Sequence, residues 1–202
     1  MAEEEKREMR TRQVSPQEMS TKIARFATMK PQSTYYNKDK GIPDEAYETV
    51  AAKKLFTLMA PSTKAGPMSA KPSIISDDNL SVIIAECPPG NKPMLHAHFF
   101  TVEHFMCLSG RFRIRWGDQG EHETILEPYD LIAVPPAVCR DFTNISDQTA
   151  HLLVLITGKK PDDYNDIGFT PEESARFKQK FGPDVVHQFE DIGFTFMESK
   201  TP

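Results

Sequence analysis

The sequence lacks paired cysteines and long apolar segments. Its three cysteines, Cys87, Cys107 and Cys139, are an odd number, and none of them form a CxxC pair. A disulfide framework is therefore not expected. No stretch approaches the roughly 20 apolar residues needed to span a membrane, and the first residues, MAEEEKREMRTRQV, lack the apolar core of a secretory signal. We expect a cytoplasmic protein without a membrane partner.

A strong charge of either sign is also absent. The chain has 24 basic and 29 acidic residues, and its net charge is only -5. Basic residues form no stripe, so we expect no nucleic-acid partner. A length of 202 residues is sufficient for one barrel with helical extensions but short for two independent cores.

Two histidines and a glutamate are spaced as candidate metal ligands. On a strand, the side chains of His96 and His98 share a face, and Glu103 can return on the neighbouring strand. Two imidazoles and a carboxylate form a facial triad with about three open positions, which suits Fe(II), Mn(II), Ni(II) or Zn(II). A lone His-x-His pair also fits two solvent-facing positions. Turn signals at residues 88–90 and 109–110 bound the segment and favour the metal site.

The spacing across this segment resembles a family motif. Gly90, five residues, His96-Ala-His98, four residues, Glu103, six residues and Gly110 match the first signature motif of the cupin superfamily at every defined position. The resemblance covers residues 72–157. It implies an antiparallel β-barrel of the jelly-roll (double-stranded β-helix) type with one divalent metal ion inside, for which Fe(II) is the leading choice.

The second cupin motif is only partly present between Tyr129 and Asn144. Pro135 and Asn144 fit, whereas Tyr129 and Ala137 replace glycines. Arg140 stands where the family usually supplies a fourth ligand, a histidine. A guanidinium cannot bind a metal ion, but it can hold a substrate anion through two parallel hydrogen bonds. Alternatively, Arg140 pairs with Asp141 or another acid at the barrel rim.

The rest of the pattern predicts an all-β fold with N- and C-terminal helical extensions. Short apolar runs separated by turns predict strands, over residues 80–86, 95–100, 103–108, 111–116, 121–126, 131–134 and 151–156. The predicted divisions are a disordered tail over 1–14, a helical extension over 15–71, the cupin barrel over 72–157 and a second helical extension over 158–202.

Capping residues predict three helices. Ser15 with Glu18 marks the start of a helix that ends at Pro31, and a second helix runs from Pro43 towards Ala52. Thr170 starts a third helix, which Gly182 closes. The pentapeptide Asp-Ile-Gly-Phe-Thr occurs twice, from Asp166 and from Asp191. Two such short copies indicate coincidence or two similar aromatic docking turns.

The leading functional hypothesis is a mononuclear Fe(II)-type dioxygenase that acts on a small organic acid or aromatic compound. Arg140 would be the catalytic residue that orients the anionic substrate. Aromatic side chains would form the substrate pocket, namely Phe99, Phe105, Trp116 and Phe142. The alternatives are a metal-dependent isomerase, lyase or decarboxylase, and a non-catalytic binding protein for a small molecule. Exposed barrel edges and helical arms predict a homodimer.

Overall fold

The computed structural model describes residues 11–62, 72–164 and 166–198, with the side chains of 37–39 excluded. The helices are α1 Pro16–Ser20, α2 Gln32–Lys40, α3 Asp44–Val50, α4 Pro171–Phe181 and α5 Pro183–Glu190. The strands are β1 Lys54–Pro61, β2 Ile74–Ser76, β3 Leu80–Cys87, β4 His96–His98, β5 Val102–Cys107, β6 Phe112–Trp116, β7 His122–Leu126, β8 Leu131–Val134, β9 Arg140–Asn144, β10 Ala150–Thr157, β11 Ile167–Phe169 and β12 Phe194–Phe196. Most of the predicted tail over 1–14 lies outside the described residues.

Two sheets of six strands form the body of the protein. Their strand orders are β2-β1-β3-β10-β5-β8 and β12-β11-β4-β9-β6-β7. All pairs are antiparallel except β1 with β2 and β11 with β12. Alternate residues of facing strands meet in one apolar core, which includes Phe105 and Leu152 from the first sheet and Phe112 and Ile114 from the second. The predicted all-β fold with terminal helices is confirmed.

Alternation of apolar and polar residues located most strands correctly. All seven predicted strands are present as β3 to β8 and β10, with ends within two residues of the prediction. The strand β9 was missed because its sequence, Arg-Asp-Phe-Thr-Asn, has no apolar run, although all five residues are buried. Two of its polar side chains pair internally: Asp141 accepts from Arg115, and the Asn144 amide donates to the Cys87 carbonyl, whereas the buried Thr143 hydroxyl has no partner among the described residues. Internal pairing of this kind allows polar residues in a buried strand.

The N-terminal extension differs from the predicted pair of helices. The Ser15 capping box is present, but α1 ends at Ser20 and does not continue to Pro31. The apolar residues Met19 and Ile23 are 49% and 40% exposed, so little apolar burial is available to stabilise a longer helix. The predicted second helix is present as α3. The extension also supplies α2 and the strand β1, which pairs with β3 and was not predicted.

The C-terminal extension returns to the second sheet. Thr170 caps α4 and Gly182 ends it, as predicted. The two copies of Asp-Ile-Gly-Phe-Thr contribute to the adjacent strands β11 and β12, where the rings of Phe169 and Phe194 stack at 5.8 Å. The strand β11 also pairs with β4. No described helix has the length and apolar character needed to cross a membrane. The C-terminal extension is thereby attached to the strand that carries both candidate histidine ligands.

Candidate metal centre

The three predicted ligands meet inside the protein. His96 and His98 occupy the ends of β4, Glu103 lies on β5, and all three side chains are buried. One ligand atom from each lies within 4.8 Å of the others. The expectation that Glu103 lies on a strand paired with β4 is wrong, because β4 and β5 belong to different sheets. The cluster is therefore assembled across the space between the two sheets.

A backbone carbonyl fixes the orientation of His96. Its Nδ1 lies 2.7 Å from the carbonyl oxygen of Met94, so Nδ1 carries the proton and donates. Burial, reinforced by the positive charge of Arg140, lowers the pKa of His96 to about 4. The ring is thus neutral near pH 7, and Nε2 holds a free lone pair for a metal ion.

A buried carboxylate fixes the orientation of His98. The Nδ1 atom lies 2.9 Å from Oδ1 of Asp166, and Asp166 is only 2% exposed. The other oxygen of Asp166 accepts from the backbone amides of Phe100 and Thr101 and from the Thr101 hydroxyl. A histidine that binds a metal through one ring nitrogen usually donates the N–H of the other ring nitrogen to a carboxylate or a carbonyl.

Sequence reasoning missed Asp166. It lies 68 residues from His98 in the chain, and its one signal is its position at the start of the first Asp-Ile-Gly-Phe-Thr copy. Burial alone would raise the pKa of Asp166, but the hydrogen bond and charge of His98 and the Phe100 and Thr101 donors lower it below the usual value. The carboxylate therefore remains ionised and can hold the His98 Nδ1 proton.

Arg140 pairs with the candidate carboxylate ligand. Its Nε donates to Oε2 of Glu103 at 2.8 Å, and Nη1 donates to the carbonyl of Val138 at 3.1 Å. Arg140 thus pairs with an acid, but that acid is the buried candidate ligand Glu103 and not an acid at the barrel rim; the contact of Arg140 with a substrate anion stays a prediction. Asp141 instead pairs with Arg115 and Lys92. The Nη2 atom is buried and has no hydrogen-bond partner among the described residues.

The pair keeps Glu103 in the form that a metal requires. Burial would raise the pKa of Glu103, but the charge of Arg140 and the nearby histidines lower it below the usual value. The Glu103 Oε2 atom also lies 3.8 Å from Nε2 of His98. His98 and Glu103 would thus both be available to hold a divalent ion. The donor types, the tautomers and the ionised carboxylate all fit a divalent metal.

A small cavity of about 70 Å³ adjoins the three side chains. Its wall is mostly aliphatic and includes the following residues: Gln32, Val50, Ala51, Ala52, Leu55, Ile83, Pro93, Phe142, Val154, Ile156, Ile167 and Phe194. Arg140 does not appear among these described lining residues. The lining residues come from the N-terminal extension, the central strands and the C-terminal extension. Nothing in the sequence indicated that these three parts of the chain meet at one cavity.

Only one of the four predicted pocket aromatics lines this cavity. Phe142 does so, and Phe105 packs behind it in the core with ring centroids 5.4 Å apart. Phe99 packs against Gly168, where a Cβ would lie 2.6 Å from the ring. Trp116 pairs with the ring of His122 on the neighbouring strand. The pocket is aliphatic because the side chains nearest to the ligands come from β3, β10 and the terminal extensions.

The central part of the chain matches a known family. A family model for the cupin domain matches residues 83–156. The chain contains a cupin domain. The match includes the three candidate ligands and Arg140, whereas Asp166 and Gln32 lie outside it. A search of curated proteins finds no match.

Several solved structures are similar over part of the chain. The cupin domain of Schizosaccharomyces pombe Cnp3 is 13% identical over 42% of this chain and 59% of that one, with a TM-score of 0.38. A structure of the DMSP lyases RdDddP and RnDddQII is 21% identical over 54% and 49%, with a TM-score of 0.42. CapF from Staphylococcus aureus is 19% identical over 48% and 30%, with a TM-score of 0.42. The present chain thus covers less than two thirds of each of these structures, and none of them assigns it a function.

Replacement of Asp166 by asparagine should weaken metal binding. The Asp166→Asn variant keeps the shape of the side chain but removes the charge that holds the His98 Nδ1 proton. We expect affinity for Fe(II) or Mn(II) to fall about 10- to 100-fold, measured by competition with a chelator of known affinity. The control is Asp162→Asn at an exposed position. It removes the same charge and should bind the metal with the affinity of the native protein. Equal affinities of the two variants would show that Asp166 does not orient a ligand.

Replacement of Arg140 should destabilise the metal-free protein. The Arg140→Gln variant leaves the Glu103 carboxylate buried without its cation, which costs about 3–5 kcal/mol. We expect this loss in the free energy of unfolding by urea denaturation, and partial recovery when a divalent metal is added. The control Arg111→Gln breaks an Arg–Glu pair that is about half exposed, and should cost no more than about 1 kcal/mol. A similar small loss for both variants would contradict the assigned role of the buried pair.

Proposed function

We propose that this protein is a mononuclear metal-dependent cupin enzyme, and specifically an Fe(II)-type dioxygenase that acts on a small organic acid. His96, His98 and Glu103 would hold the ion. When bound, Fe(II) would supply a Lewis acid with about three open coordination positions and a redox partner for dioxygen. Mn(II), Ni(II) or Zn(II) would fit the same donor set with non-redox chemistry.

The proposal depends on one observation, the preset tautomers of the two histidines. The Nδ1 atoms of His96 and His98 are both occupied, by the Met94 carbonyl and by Asp166. Both rings must therefore use Nε2 for any metal ion, and Glu103 lies within reach of the same point. A histidine pair that served only for packing would not need a buried carboxylate to fix its tautomer.

The composition of the cavity favours oxygen chemistry over proton transfer. Among the described lining residues, the titratable side chains are the three candidate ligands themselves. An isomerase or lyase needs a general acid or base within hydrogen-bond reach of the substrate, and no further lining group in the described residues offers one. The apolar walls also exclude water, which protects reactive species from side reactions.

Arg140 would act on the substrate mainly through Glu103. Its Nε holds the Glu103 carboxylate at 2.8 Å, which fixes the direction of that ligand and neutralises its charge. The unpartnered Nη2 would contact an anionic substrate group only if the cavity wall rearranged, because Arg140 is not among the described lining residues. We keep the catalytic role of Arg140, the cytoplasmic location and the homodimer as predictions.

A second candidate function uses the His98–Asp166 contact without a metal. A histidine that is oriented by a carboxylate can serve as a general base, as in a metal-free epimerase. The 2.9 Å contact between Nδ1 and Oδ1 fits that role as well as an outer-shell role. The position of Glu103, 3.8 Å from Nε2, places an anion where the substrate proton would have to lie. The metal site is therefore the better account.

Metal analysis of the purified protein tests the proposal. Native protein purified without a metal-affinity column should contain near-stoichiometric iron by elemental mass spectrometry. His96→Ala should lose that iron, whereas His122→Ala, at an exposed position, should retain it. Iron-loaded native protein should then consume oxygen with a small organic acid, and neither His96→Ala nor chelator-treated native protein should do so.

The other outcomes separate the alternatives. Manganese, nickel or zinc lost in His96→Ala in the same way would support the metal site and contradict the dioxygenase. Turnover by protein that is free of metal would support the epimerase. A folded native protein that takes up none of these ions would contradict the metal-dependent function altogether.

A further inference from the structure

One polar side chain in the cavity wall belongs neither to the metal ligands nor to the matched cupin domain. Gln32 is the first residue of α2 and is only 3% exposed. Besides His96, His98 and Glu103, it is the one polar side chain among the described residues that line the cavity. Apart from the candidate ligands, the N-terminal extension thus contributes the one residue with a polar side chain to an otherwise apolar described wall.

The amide of Gln32 is held rigidly from two sides. The hydroxyl of Tyr47 donates to Oε1 at 2.6 Å, and Nε2 donates to Oγ1 of Thr57. Burial raises the pKa of Tyr47 well above its usual value, so its hydroxyl keeps the proton that it donates. A side-chain amide has two donor hydrogens and two acceptor positions. Among the described residues, one N–H and one acceptor position of Gln32 remain unfilled.

A buried N–H donor without an acceptor destabilises the folded protein unless a ligand accepts its hydrogen bond. A buried amide without its partner loses about 1–3 kcal/mol, and the rigid support leaves Gln32 little freedom to turn away. The same donor discriminates strongly in favour of a ligand that carries an acceptor at the right place. The support from Tyr47 and Thr57 is thus the arrangement expected of a residue that positions a ligand.

The size of the cavity restricts that ligand. A volume of about 70 Å³ is far below the roughly 300–1,000 Å³ of sites for drug-sized ligands. The neighbouring wall residues Val50, Leu55 and Val154 suit a short aliphatic body and leave no room for an aromatic ring. We expect a ligand that binds the metal and also accepts from Gln32 to carry oxygen atoms at one end, because oxygen is both a ligand for a divalent metal and an acceptor for an amide N–H.

We propose that Gln32 is a substrate-contacting residue that selects short aliphatic 2-hydroxy or 2-oxo acids. The carboxylate and the oxygen at C2 would face the metal ligands, and the second carboxylate oxygen would accept the free N–H of Gln32. The alkyl end would lie against Val50, Leu55 and Val154. This assignment rests on the proposed metal site, since the acid is held between that site and the amide.

Spectroscopic titration of the Co(II)-loaded protein tests the proposal without any need for turnover. The probes are lactate, mandelate and azide: lactate and mandelate share one chelating end and differ in a methyl or phenyl group, and azide contacts the metal alone. We expect native protein to bind lactate at least about 10-fold more tightly than mandelate. Gln32→Met should weaken lactate about 10-fold, in line with the loss of one hydrogen bond to a charged group, and leave azide unchanged.

The ratio of the lactate and azide dissociation constants is the deciding quantity. Gln179→Met, at an exposed position of α4, should leave the ratio unchanged. If Gln32→Met fails to fold, Gln32→Glu decides by the same ratio, because it keeps an acceptor for Tyr47 and removes the donor. A native ratio in the Gln32 variant that folds would overturn the role of Gln32. Equal affinity for lactate and mandelate, or no lactate binding by native protein, would overturn the substrate class.

Failure of the metal site has a different signature. In that case Co(II) would not bind native protein, or would bind His96→Ala equally well. Failure of the Gln32 assignment alone would leave Co(II) and azide binding normal and change only the response to lactate.

Discussion

The hydrogen bond between Asp166 and His98 connects the candidate metal centre to the C-terminal extension. It forms only because the strand β11 pairs with β4, which places Ile167 opposite His98 and Phe169 opposite His96. The stacked rings of Phe169 and Phe194 hold β11 against β12. Without this packing, a buried and ionised Asp166 would have no compensating donors, and the cost would exceed the benefit of the contact. The extension is therefore part of the site and does not simply cover it.

A balance of charges explains why the site can exist before a metal arrives. Glu103 and Asp166 are both buried anions, and Arg140 is the fully buried cation that faces Glu103. The pair satisfies Glu103 in the metal-free protein, because an unpaired buried carboxylate would take up a proton. A divalent ion would add two positive charges beside the Asp166-oriented His98. Arg140 thus stabilises the ionised Glu103 carboxylate, and it would compete with a metal ion for the same carboxylate oxygen.

Local spacing predicted the ligand triad and most strands, because both depend on residues close together in the chain. His96 and His98 share a face through the two-residue period of a strand, and the turn signals fixed its limits. Contacts between residues that are distant in the chain leave no comparable pattern in the sequence. The sheet that carries Glu103, the strand β9 and the partner of Arg140 all depend on how the strands pair in space. The predicted aromatic pocket depends on the same pairing of strands in space. Only Phe142 of its four residues lines the cavity, because the other lining residues come from other strands and from the terminal extensions.

The two terminal extensions contain further residues that local sequence patterns did not connect to the site. Asp166 lies 68 residues from the histidine that it orients, and Gln32 belongs to a helix that the sequence did not indicate. Both lie outside residues 83–156, where the family match is. Residues 83–156 contain the three candidate ligands, whereas the extensions contain Asp166, which orients His98, and Gln32, which lines the cavity. The parts of the chain outside the family match are thus those that its local patterns describe least.

Anomalous diffraction from crystals prepared with Mn(II) tests this account most directly. We predict a single strong peak bonded to Nε2 of His96, Nε2 of His98 and a carboxylate oxygen of Glu103, with Asp166 still on Nδ1 of His98. Bond lengths near 2.1 Å would place the three ligand atoms roughly 3.0–3.4 Å apart, so atoms that now lie up to 4.8 Å apart would have to approach one another. A peak bonded through Nδ1, a peak at another site, or no peak with the three side chains well ordered would contradict the account.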